Sequence, residues 1–128
     1  MSITNPFEAE AKERWGETDS YKTSSERVAK YTEADWEVQR SDQQAAVNLF
    51  IAAMNSGLPA DSVEAGVAAE AHRRQIDKWF YPCSHEMQSG LAQMYVADER
   101  FAKFYNDQAD GLAQYVHDAI IANALKHL

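Results

Sequence analysis

The stretch TEADWEVQRSDQQAAVNLFIAAMNSG, running from Thr32 to Gly57, decides the fold class. It opens with Thr32 and Asp35 at capping-box spacing, where the threonine oxygen takes the amide of the third helical residue and the acid returns a bond to the cap's own N–H. It closes on Asn55-Ser56-Gly57, with Pro59 just beyond, which is stop chemistry. Between these ends Trp36, Gln43, Val47, Phe50 and Met54 recur at steps of three, four and seven, and Leu49 and Ala53 widen the stripe. That period is helical, and the stripe is expected to face a core.

The same grammar extends in both directions. Asp61 or Ser62 caps a helix carrying Val67, Ala68, Ala71, His72, Ile76 and Trp79 inward until Pro82 breaks the pattern. Ser84 caps the next, whose expected buried stripe is Met87, Leu91, Met94 and Tyr95. Asp98 ends it and caps a shorter helix bearing Phe101, Phe104 and Tyr105. A last helix from about Asp110 and Gly111 carries Leu112, Tyr115, Val116, Ala119, Ile120 and Ala124. Upstream, Asn5 with Pro6 and Glu8 starts a short helix that Gly16 ends, and another runs from near Thr18 or Asp19 to about Tyr31. The 5 Gly and 3 Pro fall only at these punctuation points. The reading is all-α, with about seven helices and no strands.

With 128 residues and 45% hydrophobic side chains, the chain suits one domain, 1–128. Its 20 acidic against 12 basic groups give a net charge of −8, which repels a phosphate backbone, so direct nucleic-acid binding is not expected. Cys83 is the single cysteine and cannot make an internal disulfide. No apolar run is long enough to span a membrane, and Met1 to Pro6 has neither a basic end nor an apolar core for export. A monomeric cytoplasmic domain is expected. From residue 1 to 32, Phe7, Trp15, Tyr21, Val28 and Tyr31 are scattered among polar groups on short helices, which are marginal without packing. Residues 45–128 hold most of the Leu, Ile, Met and Phe and can form a core unaided. A stable body at 33–128 under a weakly held lid at 1–32 follows.

Signs of chemistry are few. His85-Glu86 opens like the H-E-x-x-H zinc motif, but Ser89 occupies the second histidine's place, so no metal is expected there, and Glu86 reads as a first-turn acid. Cys83, beside Pro82 and among aromatic neighbours, reads as a buried hydrophobe rather than a nucleophile. His72 is either a satisfied core histidine or one polar handle on a cavity wall. Phosphate loops, nucleophile elbows, paired catalytic carboxylates and C-x-x-C are all missing, so neither an enzyme nor a cofactor is expected. What stands out is 14 aromatic residues and 4 Met, side chains that build adaptable pockets for large apolar ligands. Trp15, Tyr21 and Trp36 lie where the chain is least able to bury them.

Read together, Glu13-Arg14-Trp15-Gly16-Glu17-Thr18-Asp19-Ser20-Tyr21, Tyr31-Thr32-Glu33-Ala34-Asp35-Trp36, Tyr81-Pro82-Cys83-Ser84-His85-Glu86-Met87 and Met94-Tyr95-Val96-Ala97-Asp98-Glu99-Arg100-Phe101 resemble the TipAS family, the antibiotic-recognition domain of certain MerR-type regulators. The tail Leu112-Ala113 to Asp118-Ala119-Ile120, with Asn123-Ala124 and His127, fits too. The resemblance implies a globin-like bundle with a haem-free cleft for thiopeptides or other bulky hydrophobic compounds, and N-terminal helices that close over the ligand. It makes Trp15, Tyr21 and Trp36 lid candidates, and His72, Ile76, Tyr81, Met87, Gly90, Leu91, Met94 and Tyr95 candidates for the cleft. In the family's prototype a cysteine seven positions after the counterpart of Cys83 captures dehydroamino acids covalently; here that position is Gly90, so covalent capture there is ruled out. Neither a helix-turn-helix nor a dimerising coiled coil is present, so this is either an excised domain or a stand-alone sequestering form, and DNA is reached only through an attached MerR domain. The alternative function is a protein-interaction module that docks its N-terminal apolar helices on a partner.

Overall fold

The computed structural model describes residues 19–128, and the helix expected from Asn5 lies outside them. Six helices follow in order among the described residues: α1 Asp19–Val28, α2 Glu33–Asn55, α3 Val63–Trp79, α4 His85–Ala97, α5 Glu99–Asn106 and α6 Leu112–Leu125. No strand occurs among the described residues.

Most boundaries fall where side-chain chemistry places them. At α2 the Thr32 oxygen accepts from the Asp35 amide and the Asp35 carboxylate accepts from the Thr32 amide at 2.9 Å, so the capping box is complete. Ser62, Ser84 and Asp98 each accept a first-turn amide of α3, α4 and α5. The end of α2 is a Schellman motif: Leu58 N–H reaches Ala53 O at 3.1 Å and Gly57 N–H reaches Met54 O at 3.0 Å, with Gly57 at φ 75°, where a side chain would be strained. Ser84 matters most for function, since it fixes the start of α4. Ser84→Ala is expected to cost about 1 kcal/mol, read as a lowered urea midpoint with an unchanged slope.

α2 packs on α3, α4 on α6, and α6 also lies against α3, α5 and α2. Phe50, Leu112, Val116 and Ile120 are fully buried at their junction. Ala65, Ala68 and Ala69 on α3, Ala92 on α4 and Ala119 on α6 are also fully buried, and their small side chains let the helix axes approach closely. α1 leans on α3, and none of its residues is buried.

The structure corrects several inward assignments. Leu49 (42% exposed), Val67 (55%) and Phe104 (42%) face solvent. The buried seam of α2 is Gln39, Ala46, Val47, Phe50 and Ala53, narrower than the expected stripe, so a residue one step off it lies about 100° away. α1 stops at Val28 rather than near Tyr31. The correction with most bearing on function concerns α4, whose buried residues are Gln88, Ala92 and Tyr95. Met87, Leu91 and Met94 are only half-buried.

Candidate ligand-binding site

The α4 helix is therefore rotated away from the orientation its hydrophobicity favours. Gln88 turns inward because the interior takes up its NH2 group: Nε2 donates to Ala69 O at 2.8 Å and to His72 Nδ1 at 2.9 Å, while its Oε1 is buried with no hydrogen-bond partner. With Nδ1 accepting, the His72 proton sits on Nε2 and is directed to the Tyr95 hydroxyl, 3.1 Å away. Tyr95 in turn donates to Tyr105. Burial holds the His72 imidazole neutral, its pKa pushed down to about 4. Of the two sequence readings of His72, the satisfied core histidine describes this arrangement, and Ile76 and Tyr95 are buried with it.

This internal polar chain leaves the adjoining flank of α4, about 100° round the helix, half-buried. Met87, Gly90, Leu91 and Met94 recur at helical spacing along it. A Cβ placed on Gly90 would meet no atom within 4 Å, so the middle of this apolar face is open. At its far end Met94 lines a surface cleft of about 630 Å³ with Ala97, Asp98, Glu99 and Arg100. Beyond its near end Tyr81 is half-buried, which pushes its phenol up to about 12.

α1 meets the same face. Ser20 Oγ lies 4.0 Å from Met87 Sδ, and Tyr21 beside it is half-buried. Further along, α1 and its link to α2 are held on the C-terminal end of α3 by hydrogen bonds to backbone carbonyls: Arg27 to Asp77 O at 2.6 Å and Tyr31 Oη to Trp79 O at 2.5 Å. The Tyr31 ring stands edge-on to Trp36 (5.4 Å) and Trp79 (5.3 Å), and Trp36 also meets Phe80 at 6.2 Å. Trp36 thus belongs to an aromatic cluster where α1 joins the body. Trp15 lies outside the described residues. Sequence reading missed Gln88, Tyr31 and Phe80 as site-forming groups. The only available signal was the place of Gln88 one turn before Ala92 and two before Tyr95.

Cys83 is 1% exposed, and burial raises its thiol pKa to about 11 despite the nearby Arg73 guanidinium. The folded protein is expected to react with iodoacetamide at pH 7.5 at least about a hundredfold more slowly than the urea-unfolded chain, because thiolate is scarce and access is blocked. Comparable rates, followed by intact mass, would contradict the burial.

An all-helical body thus carries a half-buried apolar flank on α4 and, packed on α3, a helix that buries none of its residues. A family model described as the TipAS antibiotic-recognition domain matches residues 7–123. The chain belongs to the TipAS family. The HTH-type transcriptional activator TipA of Streptomyces coelicolor and that of Streptomyces lividans are each 45% identical to it over 121 residues, which is 94% of this chain and 48% of theirs. The HTH-type transcriptional activator mta of Bacillus subtilis is 30% identical over 98 residues, 77% of this chain and 37% of its own. The chain therefore spans about half the length of the first two relatives, or less. Among solved structures, TipAS from Streptomyces lividans in complex with nosiheptide superposes with a TM-score of 0.89 at 44% identity, covering 97% of this chain and 88% of that one. The antibiotic-binding domain of a TipA-class multidrug resistance transcriptional regulator superposes at 0.60 with 46% identity, covering 67% and 95%. The family is one of ligand recognition, and the fold expected from the TipAS resemblance is the one observed. No helix among the described residues is long and apolar enough to cross a membrane.

Proposed function

We propose that this TipAS domain binds a bulky, largely apolar antibiotic of the thiopeptide kind on the open α4 face, with the chain up to residue 32 acting as a lid. The reading is carried by one observation: Met87, Leu91 and Met94, which hydrophobicity would send inward, line a half-open face around Gly90 and are approached by a helix that buries none of its residues. Tyr21 and Trp36 serve on the lid side, Tyr81 on the wall, and His72, Ile76 and Tyr95 form the floor that holds α4 in its rotated setting. Trp15 joins the lid on the strength of the family resemblance.

Binding at Gly90 is non-covalent, since glycine carries no nucleophile, and the space it leaves admits a broader range of ligands than a bulkier residue would. The ligand-bound state acts either through a DNA-binding part of a longer regulator or by withholding the drug from its target. The bare domain, at −8, does not contact DNA itself. Calorimetric titration with nosiheptide, paired with thermal unfolding, tests the reading. One site per chain is expected, with about 2.7 kcal/mol of added stability at a free ligand concentration a hundred times Kd. Absence of saturable binding to nosiheptide and to a panel of large apolar antibiotics, together with concentration-dependent self-association, would favour the interaction-module reading instead.

A further inference from the structure

On the side of the bundle where the C-terminus meets α3 and the start of α4, three potential ligands converge that no single motif contains. Glu70 on α3, His85 at the first position of α4 and His127 after α6 place their ligating atoms within 4.8 Å of one another. His85 Nε2 stands 2.5 Å from Glu70 Oε1, and the two imidazoles stack with centroids 4.1 Å apart and planes 11° from parallel. His127 Nδ1 lies 2.8 Å from Asn123 O. A carbonyl only accepts, so Nδ1 carries the proton and Nε2 presents a lone pair, the tautomer and the backbone support that a metal-bound histidine requires. Glu70 is similarly braced, by Asn123 Nδ2 on Oε1 at 2.8 Å and by Arg73 on Oε2 at 2.9 Å.

We infer that Glu70, His85 and His127 form a site for one divalent transition-metal cation of the zinc type, tying the C-terminus to α3 and the start of α4. Two imidazoles and a carboxylate are a donor set that such ions accept, with solvent completing four-coordination. On binding, the ion takes the place of the hydrogen between His85 Nε2 and Glu70 Oε1, and the neutral imidazole carries that proton on Nδ1 instead; the exposed His127 ring turns out of its near-parallel stack so that both Nε2 lone pairs meet at the ion, and Nε2 and Oε1 separate to roughly 3.3 Å to accommodate bonds of about 2.0–2.2 Å. The guanidinium of Arg73, which spans both carboxylate oxygens with Nε 3.3 Å from Oε1 and a terminal nitrogen 2.9 Å from Oε2, opposes the incoming charge together with Arg74 at 3.9 Å, so affinity is moderate. His85-Glu86 thus contributes its histidine, but with partners from two other helical segments rather than along one helix turn.

The test is zinc chloride titrated into tag-free protein and followed by calorimetry, alongside His127→Ala and His117→Ala. The expected result is one zinc per chain, affinity at least tenfold weaker in His127→Ala, and no change in His117→Ala. His127 is exposed and follows the last helix, so its replacement leaves the fold intact. Failure of the unsubstituted protein to bind zinc saturably, or equal affinity in His127→Ala, would overturn the site.

Discussion

Gly90→Trp is expected to weaken nosiheptide binding about a hundredfold, close to 2.7 kcal/mol, while leaving the protein folded with an unchanged or slightly higher melting temperature. The two halves of this expectation have separate causes. Gly90 lies within α4 and is not among the glycines with positive φ, so its backbone needs no special freedom, and its Cβ position is open. Tryptophan there regains roughly 0.5 kcal/mol of helix propensity over glycine. The indole would then occupy the space between Met87, Leu91 and Met94 that the antibiotic needs. Retained affinity in a folded variant, measured by titration calorimetry, would move the ligand off this face.

Acidification is expected to destabilise the domain by about 3 kcal/mol through His72. Folding lowers the pKa of this imidazole from 6.5 to about 4, so the unfolded chain binds the proton more tightly. Its contribution is fully present above pH 6.5 and is lost as the pH falls toward 4. Glu70 also has a lowered pKa, from 4.5 to about 2: burial works against this, but hydrogen bonds from Arg73, Asn123 and His85 outweigh it. Stability from Glu70 persists above pH 4.5 and is lost only below that. The interval between pH 6.5 and 4.5 therefore isolates His72 from Glu70. Urea unfolding of His72→Gln is expected to show lower stability throughout but a flatter profile in that interval. A slope there as steep as the parent's would show that His72 is not the responsible group.

These expectations also show which features the sequence made legible. Helix caps could be read because each uses only local chemistry: Thr32 with Asp35, Ser62, Ser84 and Asp98 act within one turn of where they stand. The facing of α4 could not. Met87, Leu91 and Met94 outweigh Gln88 and Ala92 on any apolar scale, and the Ala69 carbonyl and the His72 ring that accept from the Gln88 NH2 group are brought close only by tertiary packing. Among the residues named for the site, His72 and Tyr95 are in contact, while the side each α4 residue presents emerged only from the fold. Leu49 and Val67 failed for a simpler reason, since each lies one step from a buried neighbour and one step turns a side chain out of a narrow seam. The aromatic cluster of Tyr31, Trp36, Trp79 and Phe80 joins three segments, and no local spacing encodes it.

The proposed mechanism requires the lid to gain protection from the ligand rather than to possess it beforehand. Amide hydrogen exchange of the chain with and without saturating nosiheptide measures this directly, with α6 as the internal reference. The expected result is fast exchange in α1 and the 29–32 link in the free protein, slowed at least tenfold by ligand, while the buried amides of α6 change far less. Saturable binding that leaves exchange across residues 19–32 unaltered would contradict closure of α1 over the α4 face.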